Sequence, residues 1–117
     1  MKLQLRFGEQ TWDIQLDDNP TARDLVALLP LKLELEDYAA TEKIASLPRR
    51  LGTAESPRGY TPVAGDLAYY APWGNLAIFH KGFSYAAGLI RLGRIERGID
   101  RLAAPGRMAA ELVLVTP

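Results

Sequence analysis

The sequence predicts a mainly β domain, a closed antiparallel β-barrel of about eight short strands with one or two short helices. Two observations carry this prediction. Apolar and polar residues alternate in several runs, which is the period of a half-buried strand. Turn residues separate these runs at short intervals, as antiparallel strands require. A sandwich has the same pattern, but barrel closure also removes the unpaired edges that short strands otherwise expose.

The chain length and the amino-acid composition limit the possible functions. The 117 residues fit one domain, 1–117, whose core needs neither metal nor disulfide. Its 14 basic and 14 acidic residues cancel, which argues against a nucleic-acid partner, because such partners are bound through clustered Lys and Arg. Cysteine is absent, so thiol catalysis and Cys-ligated zinc are excluded. Without a signal peptide or an apolar run of membrane-spanning length, we expect a cytoplasmic protein with no cofactor, metal or membrane partner.

The first thirty residues predict a hairpin followed by a helix. Apolar residues alternate through 3–7 and 11–16, which predicts two paired strands. Asn19 suits a helix N-cap and the proline after it suits the first helical position. Pro30 ends the helix, because proline pushes the residue before it out of the helical region. We expect this helix, Pro20–Leu29, to cover one end of the barrel.

Three segments follow the helix. Residues 31–36 alternate strictly between leucine and charged residues and predict the clearest strand. Residues 38–47 fit either a helix or a strand, and the proline that follows them favours a strand. Residues 48–62 contain several prolines, glycines and arginines and predict the longest loop. Loops of this length are usually functional or mobile, and three arginines either bind an anion or, more commonly, form a solvated surface.

The segment 65–80 predicts a central hairpin with an aromatic tip. Pro72 fixes its own φ and Gly74 tolerates positive φ, so the residues between the strands form a tight turn. Trp73 stands at this tip, where a large ring is difficult to bury. The two tyrosines before the turn point to opposite faces, so at most one of them reaches a pocket. After the hairpin the pattern predicts a loop, a strand, a helical turn and a last strand: 81–88, 89–95, 96–103 and 110–115.

The segment Leu92-Gly93-Arg94-Ile95-Glu96-Arg97-Gly98-Ile99-Asp100-Arg101-Leu102 resembles a cyclophilin signature, Phe-Gly-Lys-Val-x-x-Gly-Met-Asp-x-Val. Both glycines and the aspartate match, and four other positions match in kind. Residues 65–68, with the later Pro72, Asn75 and Phe79, resemble the cyclophilin Gly-x-Leu-Ser segment and the Pro-Asn and Phe after it. The whole is most similar to the small prokaryotic cyclophilin-like domains, which share the barrel and mostly lack an assigned activity.

The resemblance implies that the catalytic residues are lost. Cyclophilins carry an arginine three residues before a proline, and Ala45 occupies that place if Pro48 is the matching proline. The family histidine falls on Leu89, four residues before Gly93. We therefore expect at best a poor peptidyl-prolyl isomerase and name no catalytic residue. A shifted register around Pro48 would offer other donors: Lys43, Arg49 and Arg50.

Aromatic residues near the central hairpin form a candidate ligand site. Aromatic walls with one polar amide are typical of a small-ligand or peptide site, and also of a well-packed barrel rim. We expect the tip 72–75 and the loop 48–62 to border one cleft. The candidate binding residues are Trp73, Asn75, Phe79, Tyr60, Arg49 and Arg50, with Phe83 as a further candidate. His80, the only histidine, has no partner at motif spacing and is a weak candidate for a general base.

Three functions are consistent with these observations. The one we favour is a binding module for a peptide, a partner protein or a small ligand, without efficient catalysis. The second is a weak or divergent peptidyl-prolyl isomerase, which an isomerase assay separates from the first. The third is a structural or oligomerising domain whose exposed aromatic residues are subunit contacts, so its mass in solution, monomer or homodimer, distinguishes it.

Overall fold

A computed structural model describes residues 1–116, which form ten strands and two short helices. In chain order the elements are β1 (Lys2–Phe7), β2 (Gln10–Leu16), α1 (Pro20–Val26), β3 (Leu31–Tyr38), β4 (Glu42–Ser46), β5 (Gly59–Tyr60), β6 (Asp66–Tyr70), β7 (Asn75–Phe79), β8 (Ala86–Ala87), β9 (Leu89–Ile95), α2 (Ile99–Leu102) and β10 (Met108–Thr116). Eight of the strands close into a barrel in the order β1-β10-β3-β4-β7-β6-β9-β2, and every pairing is antiparallel. The predicted fold class is confirmed.

The barrel interior takes alternate residues from each strand. Leucine, isoleucine and aromatic side chains fill it, and among the most deeply buried are Leu3, Leu5, Trp12, Ile14, Leu35, Leu67, Tyr69, Leu76 and Ile78. This is the face that the alternating pattern predicts, because successive side chains of a strand point to opposite sides of the sheet.

The outer faces of β6, β7 and the start of β9 are also apolar. Ala68, Ala77, Phe79 and Leu89 form a second, smaller buried cluster. The residues packed against it include Tyr60 of β5 and Ala86 of β8, the two short strands that pair with each other outside the barrel. The central strands are therefore covered on both faces, which explains why residues 66–69 and 75–79 are continuously buried.

The two helices lie towards opposite ends of β2. The α1 helix follows its C-terminal end, and the Asn19 side chain caps it by accepting a hydrogen bond of 2.8 Å from the Ala22 amide. This helix ends at Val26, earlier than the expected Leu29, because the next residues close tighter turns back to residues 25 and 26. The α2 helix lies near Trp12, whose indole donates to the Gly98 carbonyl at 2.8 Å. Among residues 1–116, no helix is long and apolar enough to cross a membrane.

The ambiguous segment 38–47 forms the end of one hairpin, β3–β4. Its turn residues, Ala39 and Ala40, have φ of 54° and 57°, and the Thr41 amide donates to the Tyr38 carbonyl at 3.3 Å. Positive φ at both central residues matches the twist of paired strands, but it usually requires Asn or Gly. The strand interpretation is confirmed, and the absence of those residues explains why the sequence pattern does not reveal the turn.

Candidate functional site

A pocket of about 140 Å³ opens on the outer side of the barrel, beside the β6–β7 turn. It is lined by Tyr38, Glu42, Tyr70, Trp73, Asn75, Phe79, Phe83, Ala86 and Leu89. Five of these nine residues are aromatic, and Glu42 is the only charged one.

Cross-strand pairing brings these side chains together. Glu42 of β4 stands opposite both Tyr38 of β3 and Phe79 of β7. On the neighbouring strands, Tyr70 stands opposite both Asn75 and Leu89. Directly paired residues of antiparallel strands project from the same face of the sheet. The pocket is thus built from two rows of paired residues, and the side chain of Trp73 spans them.

Trp73 forms the wall nearest to solvent, and its side chain is 52% exposed. Its ring meets Tyr38 and Tyr70 edge to face, with centroids 5.2 and 5.4 Å away. The turn that carries it is fixed from behind by Arg50, which donates to the Ala71 carbonyl at 2.7 Å. Arg50 also packs against Gly74, where an added Cβ would lie 3.3 Å from its Cγ. These contacts of Arg50 hold the turn that carries the Trp73 indole.

The polar groups of the pocket belong to the Glu42 carboxyl, the Asn75 amide and the hydroxyls of Tyr38 and Tyr70. Burial raises the pKa of the Glu42 carboxyl, and a hydrogen bond from the Thr41 hydroxyl opposes this rise. Asn75 is 9% exposed, and its amide oxygen is buried without a hydrogen-bond partner in the described part of the chain. No lysine, arginine or histidine is among the lining residues. The pocket therefore combines aromatic rings with one carboxyl and one amide, and no cationic side chain lines it.

Of the predicted site residues, the structure brings three together in this pocket: Trp73, Asn75 and Phe79, with the further candidate Phe83. Tyr60 packs against the cluster behind Phe79, and its hydroxyl donates to Asp66 at 3.1 Å. Burial, together with the Asp66 carboxylate, raises the pKa of Tyr60 far above its usual value.

The two predicted arginines lie outside the lining. Arg49 makes two hydrogen bonds of 2.8 and 2.9 Å to the Asp24 carboxylate on α1. Arg50 holds the back of the tip, as described above. The loop 48–62 therefore touches the hairpin tip but contributes no residue to the pocket wall. The role of all six predicted residues in binding a ligand stays a prediction.

The sequence model of the cyclophilin-like family matches residues 5–113. The chain belongs to the cyclophilin-like family. No curated protein gives a significant match.

The structure explains why Gly93 of the motif is a glycine in this cyclophilin-like barrel: an added Cβ would lie 2.5 Å from the Gln15 carbonyl oxygen on β2. Only glycine allows the two strands to approach this closely.

The positions that match the cyclophilin catalytic residues differ in location. Leu89, at the histidine position, lines the pocket of this cyclophilin-like chain. Ala45, which takes the arginine position if Pro48 is the matching proline, is 3% exposed and belongs to the barrel core. Lys43, a substitute donor, is fully buried, and its ammonium group donates to Asp37 and to the carbonyls of residues 104 and 106 at 2.7–2.8 Å.

His80 lies outside the pocket wall. Burial and the charges of Lys43 and Lys81 lower the pKa of its imidazole, which favours the neutral ring. Its Nδ1 is buried without a hydrogen-bond partner among residues 1–116. The same part of the chain holds no cluster of three His, Cys, Asp or Glu residues that could bind a metal ion.

Sequence reasoning missed four lining residues of this cyclophilin-like pocket: Tyr38, Glu42, Ala86 and Leu89 as a wall residue. The first two flank the alanine turn, whose residues carry no turn signal. Tyr70 follows from the parity argument: Tyr69 points into the barrel, where its hydroxyl accepts a hydrogen bond of 3.1 Å from the Leu51 amide, so Tyr70 points outwards.

Proposed function

We propose that this cyclophilin-like domain binds a small ligand in the pocket beside Trp73 and is not an efficient peptidyl-prolyl isomerase. The observation that carries the proposal is the pocket: five aromatic side chains, one carboxyl and one amide surround about 140 Å³. Mostly apolar walls with a few polar groups are the usual composition of a small-molecule site.

The exposure of the aromatic rings supports a binding role over a packing role. In a well-packed rim these rings would bury each other, but Trp73 and Phe83 are 52% and 45% exposed. Apolar surface left in water costs about 25 cal/mol per Å² relative to burial. A ligand that fills the concavity recovers part of this free energy, and large exposed rings around a concavity are typical of binding surfaces.

The chemistry of the walls argues against isomerase activity. Rotation about the X–Pro bond has a barrier of about 18–20 kcal/mol, maintained by amide resonance. A catalyst lowers it with preorganised donors that fit the twisted amide better than the planar one. The charged lining group, Glu42, is an acceptor when ionised, and Lys43, Arg49 and Arg50 are all engaged elsewhere. We therefore expect no positioned cation at the bound proline.

The two tryptophans allow a direct test of ligand binding. Trp12 is 1% exposed and serves as the internal reference, whereas Trp73 lies in the pocket wall. We expect small fragments to shift the indole N–H resonance of Trp73 in an NMR spectrum and to leave that of Trp12 unchanged. Trp73→Ala should weaken binding by about 2 kcal/mol, as loss of an aromatic anchor does. A fragment collection that moves neither resonance, or binding that survives Trp73→Ala, would refute the proposal.

Two further measurements delimit the proposal. In a coupled assay on an Ala-Pro peptide, micromolar protein should add no rate comparable to that of an ordinary cyclophilin, and such a rate would overturn the non-catalytic part. The mass of the protein in solution distinguishes a monomeric binding module from an oligomerising domain. A dimer that Trp73→Ala converts to monomers would show that the aromatic wall is a subunit contact. We also propose that the domain acts in the cytoplasm.

A further inference from the structure

We propose that the ligand of this pocket carries an alkylammonium cation, with a trimethylammonium group as the simplest form, held between the aromatic rings and the Glu42 carboxylate. This inference rests on the proposed binding function and adds the chemical class of the ligand. The charge, the ring geometry and the volume of the pocket each support it.

The charge of the pocket favours a cationic ligand. Glu42 is half-buried, and it forms no ion pair with any side chain in the described part of the chain. Its sequence neighbour Lys43 points into the barrel and pairs with Asp37 instead. A desolvated carboxylate without a cationic partner is costly, as the raised pKa of Glu42 also indicates. A cationic ligand supplies the missing partner, whereas an anionic one would increase the cost.

The second argument is the arrangement of the rings. All three rings line the pocket, and the planes of Tyr38 and Tyr70 make angles of 89° and 79° with that of Trp73. The face of an aromatic ring carries the negative part of its quadrupole and attracts a cation within about 6 Å. Walls of this kind around a quaternary ammonium group are the known functional use of this interaction. A neutral apolar ligand would gain nothing from the carboxylate in the same wall.

The third argument is size. About 10–15 Å³ of such volume holds one water molecule, so a pocket of about 140 Å³ has room for a group of several non-hydrogen atoms. A nitrogen with four carbon substituents has five non-hydrogen atoms. Asn75 lies in the same wall, and its neutral amide adds no positive charge beside Glu42. The pocket thus has room for the head of the ligand and carries the opposite charge.

The test compares choline with 3,3-dimethylbutan-1-ol, a neutral molecule of the same shape. We expect choline to bind at least ten times more tightly, measured by calorimetry and by the Trp73 indole resonance. Glu42→Gln should reduce this preference to less than threefold. The matched control is Glu34→Gln, because Glu34 is exposed on β3 and does not line the pocket. Thermal melting of each variant establishes that it is folded.

The outcomes separate this inference from the proposed function. Equal binding of choline and the neutral alcohol, or a choline preference that persists in Glu42→Gln, overturns the cation while the binding site stands. Failure of both probes and of every other fragment overturns the binding site itself. A choline preference that Glu42→Gln removes and Glu34→Gln retains supports the inference.

A second arm distinguishes the source of the cation. A peptide with one trimethyllysine is compared with choline and with the same peptide carrying norleucine, which has no charge. Tighter binding of the methylated peptide than of choline by tenfold or more assigns the group to a side chain of a peptide. Binding no tighter than that of choline assigns it to a small molecule. A norleucine peptide that binds as tightly as the methylated one overturns the cation.

Discussion

Replacing the buried Lys43 by methionine should destabilise the barrel without affecting the pocket. The ammonium group is fully buried and donates three hydrogen bonds of 2.7–2.8 Å, one to Asp37 and two to the carbonyls of Ala104 and Gly106. Methionine fills similar space but donates nothing. Each carbonyl left without a partner costs about 1–3 kcal/mol, so we expect a loss of roughly 3 kcal/mol after the gain from burying the methionine.

The measurement is thermal and urea unfolding. For a chain of this length a loss of about 3 kcal/mol lowers the melting temperature by roughly 10 °C. Lys32→Met is the matched control, because Lys32 is exposed on the neighbouring strand β3. The reasoning is refuted if Lys43→Met lowers the melting temperature no more than Lys32→Met does.

The pH dependence gives an independent check of the same contacts. The Gly106 amide and then the Lys43 ammonium hold the pKa of Asp37 below its usual value. A carboxyl whose pKa is lower in the folded state contributes stability above its unfolded pKa of 3.8, and this contribution is lost as the pH falls below that value. Lys43→Met removes one of the two causes of this low pKa. The stability that is lost when Asp37 is protonated should therefore be smaller in this variant.

Three further predictions concern other parts of the chain. Changing Ala39 to Asn together with Ala40→Gly should stabilise the protein by about 1–2 kcal/mol in urea unfolding, because both alanines have positive φ and this pair of residues suits such a turn. Arg49→Met should destabilise the protein at neutral pH but less at pH 2, because Arg49 and the Gly52 amide lower the pKa of Asp24 to about 2 and this stability is lost as the pH falls from about 4. A pH-independent effect of this substitution would contradict the ion pair. Trp73→Ala should change the melting temperature by only about 2 °C, because its ring is half exposed, and a drop above about 10 °C would show a packing role.

The strands were predictable where one face is buried and the other is solvated. In residues 2–6, 12–16 and 31–36 each side chain lies inside or outside according to its position in the pattern, so burial repeats every second residue. The β5–β8 pair lay in the predicted loops, because strands of two residues are too short to show a period. The N-cap and proline of α1 fixed its start, but nothing local distinguished its last helical turn from a tighter one.

Half of the candidate site was predictable for a similar reason. The aromatic hairpin tip has a local signal, the sequence Pro-Trp-Gly-Asn, and this signal identifies Trp73 and Asn75. Tyr38 and Glu42 have none, since they reach the pocket through the alanine turn and through pairing with a strand more than thirty residues later in the chain. Arg49 and Arg50 were expected in the cleft from their position in the loop, and their actual partners, Asp24 and Ala71, are fixed by tertiary contacts.

The sequence by itself determined the barrel and its alternating core, because both follow from the periodicity of its apolar residues. Only the tertiary structure decided that Glu42 points outwards among aromatic rings while Lys43 is sealed inside the barrel. The physical reason is that alternation along a strand determines which side chains share a face. Barrel closure and cross-strand register determine which side chains of other strands they contact. The charge of the pocket depends on that register.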